Sequence, residues 1–149
     1  MNDLTGEYRV RMDDKGRLKL PSALLSQIGE DPVFTINRGF EKHLMLYPRE
    51  VWVKKTKEIN KLNIYKTKER NMIRYFYRGA SELRTDAADR VLIPKSLMEY
   101  AKIDKEVVLF AYNEQIEIWS EKLYEEFLGS EPEEFADYAD EIFGDKDAD

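Results

Sequence analysis

From residue 8 to residue 12 the chain reads Tyr-Arg-Val-Arg-Met, alternating apolar and basic positions. Successive side chains of a strand point to opposite faces, so this pattern predicts a half-buried strand with Arg9 and Arg11 together on one side. The turn-forming run Asp13-Asp14-Lys15-Gly16 follows, and Leu18-Lys19-Leu20 returns as a second strand. Pro21 suits the first position of a short helix and Gly29 its end. Residues 33–37 and 44–47 read as another strand pair around a loop holding Gly39, and Pro48 opens a helix running to about Lys61.

The same order of elements recurs. Asp13, Arg17, Pro21 and Leu24 reappear as Asp86, Arg90, Pro94 and Leu97, each 73 residues later. VFTI at 33–36 is echoed by VVLF at 107–110, and LMLYPREVW at 44–52 by IEIWSEKLY at 116–124. The second copy predicts strands near 80–85, 90–93, 106–111 and 115–119, with short helices after Pro94 and Ser120. Between the copies, residues 67–77 predict a helix whose Met72, Ile73, Tyr75, Phe76 and Tyr77 face a core while Lys68, Arg70, Arg74 and Arg78 face out. The organisation is a first repeat at 7–52, a helical connector at 53–78, a second repeat at 79–124 and an acidic tail at 125–149. The tail predicts one helix around 132–143 and disorder in the closing GDKDAD.

Composition narrows the chemistry. The 149 residues include no cysteine, which removes disulfides, thiolate metal sites and cysteine nucleophiles, and one histidine, His43, expected to be structural or exposed. There is no Gly-rich phosphate loop, no nucleophile–base pair and no metal-ligand cluster, so neither an enzyme nor a cofactor is expected. With no apolar leader and no membrane-length apolar run, the chain reads as a soluble cytoplasmic protein with no membrane partner. The net charge of −6 conceals a division. Residues 125–149 hold eleven acids and one lysine, whereas residues 53–84 hold ten bases and three acids. Average charge argues against a nucleic-acid partner, but its distribution does not.

The Asp-x-x-x-Arg turn is the candidate site. Asp13 can accept hydrogen bonds from backbone amides two residues on, and Gly16 can take the positive φ that such a turn needs. Lys15 and Arg17 would then sit on a rigid tip beside Arg9 and Arg11, a cluster of four cations suited to phosphate. Arginine can also read guanine through its two-pronged fork, and the sequence leaves open which contact Arg17 makes. In the second copy Asp89 replaces the glycine and Ala87-Ala88 replace Asp14-Lys15. Asp86 is expected to structure that loop as Asp13 does the first, and Asp89 to tolerate the turn. Arg90 is then either a second DNA contact or a brace paired with Asp86 or Asp89, and DNA reading falls mainly on the first repeat.

At residues 13–21, DDKGRLKLP, the sequence resembles the signature of the SpoVT/AbrB family of DNA-binding modules. The resemblance spans residues 7 to 124, with the acidic tail outside it. It implies an α+β fold with a mainly β core, in which two tandem swapped-hairpin repeats form one double-split β-barrel with flanking helices. It also implies a homo-oligomeric ring that binds repeated double-stranded promoter sites of the division and cell-wall gene cluster and associates with the nucleoid. A protein-binding, antitoxin-like module of the same family is the alternative.

Overall fold

The alternation at the N-terminus does form a strand, β1 (Gly6–Arg11), whose Tyr8 and Val10 lean on the core. A computed structural model describes residues 3–129 and 132–144, so the disorder expected of residues 144–149 falls, beyond Gly144, outside the described residues. After β1 the first repeat supplies β2 (Arg17–Lys19), α1 (Ser22–Ile28), β3 (Val33–Arg38), β4 (Leu44–Pro48) and α2 (Arg49–Ile59). The connector holds α3 (Thr67–Tyr77). The second repeat supplies β5 (Ser81–Arg84), β6 (Arg90–Leu92), α4 (Lys95–Tyr100), β7 (Glu106–Tyr112), β8 (Gln115–Ser120) and α5 (Glu121–Leu128), and the tail forms α6 (Pro132–Phe143).

Pairing crosses between the repeats. The main sheet is six-stranded and antiparallel, in the order β1-β7-β8-β4-β3-β5. β1 of the first repeat lies on β7 of the second, β5 of the second lies on β3 of the first, and β4 meets β8 at the centre. The second arm of each first hairpin also changes sides: β2 pairs with β6 in a separate two-stranded ribbon, Leu18 opposite Val91. The α+β architecture with exchanged hairpins is therefore present. Its backbone ladder is split into a sheet and a ribbon, with Met12, just after β1, bridged to Leu18 of β2.

One core fills the space between sheet and ribbon. Leu18, Leu20, Val91 and Ile93 from the ribbon side meet Phe34, Ile36, Leu109 and Ile118 from the sheet, with Leu24 of α1 and Leu97 of α4 closing the ends. The opposite face of the sheet is also covered. Met45 and Tyr47 pack under Val51 and Trp52 of α2, and Val108 and Trp119 under Tyr124 of α5. Burial from both sides explains why β4 reads as an unbroken apolar run rather than an alternation. His43 belongs to this layer. It is buried, its ring stacks 4.4 Å from Trp119, and Nε2 lies 3.8 Å from a Glu117 carboxylate oxygen. Burial pushes its pKa down, overcoming the opposing pull of Glu117 and Glu41. A side chain at Gly39 would collide with the His43 ring, which is why this loop needs a glycine.

The connector helix has the expected limits but a narrower apolar face. Only Phe76 is buried, Tyr77 is exposed and bonds to Asn60, and Arg70 reaches back over the surface to donate to the Ile64 carbonyl at 2.8 Å. Five apolar residues within six positions spread around a helix that turns about 100° per residue, so they cannot share one face. α6 buries no residue, and among the described residues no helix is long and apolar enough to cross a membrane. The ribbon should be the most sensitive part of the core. Leu18→Ala should cost about 2–5 kcal/mol by chemical denaturation, because a fully buried leucine is lost where both repeats meet.

Candidate nucleic-acid interface

Both Asp-x-x-x-Arg turns close in the same way. In the first, Asp13 Oδ1 accepts from the amides of Lys15 at 3.0 Å and Arg17 at 2.8 Å, and Oδ2 accepts from Arg17 Nε at 2.7 Å. The backbone seals the loop, with Asp13 N donating to the Arg17 carbonyl at 2.9 Å and Gly16 N to the Asp13 carbonyl at 3.1 Å. In the second, Asp86 accepts from Ala88 N, Arg90 N and Arg90 Nε, each at 2.9 Å. Asp89 stands at φ 61° where Gly16 stands at φ 78°, so an aspartate fills the left-handed position without breaking the turn. Hydrogen bonds from the following arginine's backbone hold both Asp13 and Asp86 below the usual carboxylate pKa.

The two loops are locked together. Leu20 N donates to the Asp89 carbonyl at 2.9 Å and Ile93 N to the Gly16 carbonyl at 3.0 Å, extending the ribbon at both ends. Leu18 and Val91 point into the core, which turns Arg17, Lys19, Arg90 and Leu92 to the outer face. Lys19, opposite Arg90, is a further candidate contact that lies beyond the turn itself. Its signal was the burial implied by the flanking Leu18 and Leu20.

The arginines differ in what remains free. Arg17 uses Nε on Asp13, and among the described residues its two terminal nitrogens have no hydrogen-bond or ion-pair partner. Arg90 uses Nε on Asp86 and also places Nη1 3.8 Å from Asp13 Oδ2. It braces through Asp86 and across to the first loop, rather than through Asp89. Lys15 is exposed at the tip. Arg9 and Arg11 share a face of β1, as the alternation requires, but each is occupied. Arg9 lies 2.6 Å from Glu125, with Glu121 and Glu7 at 3.6 Å, and Arg11 lies 3.4 Å from Glu106. The side-chain bond to Glu125 is the main reason that the Arg9 pKa is raised. The expected four-cation cluster is thus divided between the loop and the β1–α5 flank.

A family model described as "MraZ protein, putative antitoxin-like" matches the chain twice, over residues 4–75 and 76–146. The chain belongs to the MraZ family. The second MraZ match continues through residue 146 and takes in the end of α5 and all of α6, which lie outside the resemblance at residues 7 to 124. The chain is similar to proteins named transcriptional regulator MraZ. It is 40% identical to that of Christiangramia forsetii, over 100% of this chain and 98% of the relative. It is 37% identical to that of Halothermothrix orenii, covering 90% and 92%, and 37% identical to that of Flavobacterium psychrophilum, covering 97% and 94%.

The two oxygens of Asp13 have separable tasks, since Oδ1 shapes the turn and Oδ2 orients Arg17. Asp13→Asn keeps an acceptor for the amides and loses the charge that holds the guanidinium. It should leave the far-ultraviolet spectrum unchanged while lowering the thermal midpoint at pH 7. Because the folded-state pKa values of Asp13 and Asp86 are depressed, their stabilisation is complete above the ordinary value of 3.8 and is lost as pH falls below it. Native protein and Asp13→Asn should therefore converge in thermal midpoint as the pH is lowered from 5 to 3.

Proposed function

We propose that the protein is a transcriptional regulator, the role that its MraZ relatives carry in their names, and that it acts by binding DNA. The observation that carries the reading is the β2–β6 ribbon. It is a rigid two-stranded element that holds Arg17 by Nε and leaves its two terminal nitrogens to reach a duplex. A two-stranded ribbon fits the major groove, and the free fork matches the O6 and N7 acceptors of guanine. Lys15 and Lys19 supply phosphate contacts on either side of Arg17. Arg90 contributes less, because Asp86 and Asp13 both hold its guanidinium. Arg9 serves mainly to tie β1 to α5, and Arg11 stands at the margin of the DNA surface.

One chain offers few base contacts, so promoter-level affinity calls for several copies acting together. We infer a closed homo-oligomeric ring in the cytoplasm, associated with the nucleoid. It would bind repeated sites in the promoter of the division and cell-wall gene cluster. Light scattering at micromolar concentration without DNA should give a mass well above a dimer, and a monomeric mass would remove the ring. Footprinting on the DNA upstream of its own gene, with a steep dependence of affinity on salt, tests the function. Capture of a protein partner by a form inactive on DNA would instead favour an antitoxin-like module, which the family description also names.

The arginine pair gives the sharper test. Arg17→Ala should lose on the order of 1–3 kcal/mol of base discrimination per site and, repeated over several subunits, abolish specific binding. Arg90→Ala should show a smaller loss on DNA and a larger loss of thermal midpoint, since its guanidinium joins the two loops. Equal DNA defects in two equally stable variants would make both loops readers.

A further inference from the structure

The exchange of hairpins places each loop beside the other repeat's short helix and creates two related troughs, one at each end of the ribbon. The first, of about 760 Å³, lies between the first loop, β5 and the start of α4. Its charged lining is Lys15, Arg84 and Lys95 against Asp14 and Glu82, and the exposed apolar side chain of Leu92 forms one wall. The second, of about 850 Å³, lies between the second loop, α1 and residues 29–32. Its charged lining is Glu30, Asp31, Asp86 and Asp89, with no basic residue. The backbones of the two ends are close copies, yet the charged side chains that line them sum to opposite signs, three bases against two acids in the first and four acids in the second.

We propose that the first trough is a seat for the phosphate backbone of duplex DNA, formed by Lys15, Arg84 and Lys95. The acidic second trough repels the duplex, so that DNA crosses the ribbon in one direction only. This rests on the reading of the protein as a DNA-binding regulator and adds a contact surface outside the ribbon. Lys15 stands at the tip of the loop that holds Arg17, so the seat adjoins the guanine-reading fork. Lys95 is exposed and, among the described residues, has no ion-pair partner. Arg84 is also exposed, its one ion-pair partner among the described residues being Glu82 at 3.7 Å, a loose surface pair that a phosphate can displace. Leu92 opposite Arg17 keeps this end apolar beside the fork, a surface for the edge of a base rather than for a counterion.

Phosphate contacts are recognised by salt dependence. Each one released lowers the slope of log affinity against log salt by about one, and does so alike for every sequence. The full-length Arg84→Ala/Lys95→Ala variant should be measured on duplex from upstream of its own gene and on a scrambled duplex, over a range of potassium chloride. The slope should fall by about two, affinity for both duplexes should drop by at least tenfold at low salt, and the preference between them should persist. Glu30→Gln, in the second trough, should bind as well as the native protein or better. A native slope in the double variant, with native binding intact, would overturn the seat while leaving the regulator reading in place. A loss in Glu30→Gln equal to that of the double variant would overturn the one-way crossing. Native protein that binds neither duplex would overturn both the seat and the function on which it rests.

Discussion

The pairing of β2 with β6 is the constraint on which the rest of the molecule depends. Neither strand has a full partner within its own repeat, and each brings a leucine or valine that only the common core can cover. Burying Leu18 against Val91 fixes the register, and a slip of one residue would turn the apolar pair outward and the cations inward. The same pairing therefore builds the core and aims Arg17 and Lys19 at solvent. Stability and site are set by one choice of register.

Around this ribbon the two repeats keep their backbone and vary their chemistry. The aspartate that accepts two amides and one guanidinium nitrogen is present in both loops, so the turn survives replacement of Gly16 by its counterpart Asp89. What changes lies on the surface around the turn: Lys15 against Ala88, Lys95 against Ser22, Lys19 against Leu92. A duplicated module can keep one copy as scaffold because the loop's geometry needs only the aspartate, the arginine and a residue tolerant of positive φ.

Local signals in the sequence carried far. The alternation at 8–12, the turn at 13–16, the helix at 67–77 and the helix at 132–143 all have their causes within a few residues, and each stands where it was expected. Partners distant in the chain were not legible. Arg9 looks like a free cation until folding brings Glu125, 116 residues away, to within 2.6 Å. His43 gives no sign of burial until β8 sets Trp119 against its ring. The link from Arg90 to Asp13 is invisible for the same reason, since it exists only because the ribbon joins loops from different repeats.

The crossing of strands also has a consequence for synthesis. β1 must wait for β7, whose residues follow it by about a hundred positions, and β2 waits for β6. At about 5–20 residues per second the ribosome leaves the first hairpin without its partners for on the order of 5–20 s. Through that interval Leu18 and Leu20 are apolar side chains on a nascent strand with no core to enter. Nascent copies on one message pass through this state close to one another, and a β6 that emerges on one chain finds an equivalent β2 waiting on the next. The register that joins two repeats within a chain would also fit between chains, and it is the tether between β2 and β6 that favours the intrachain pairing.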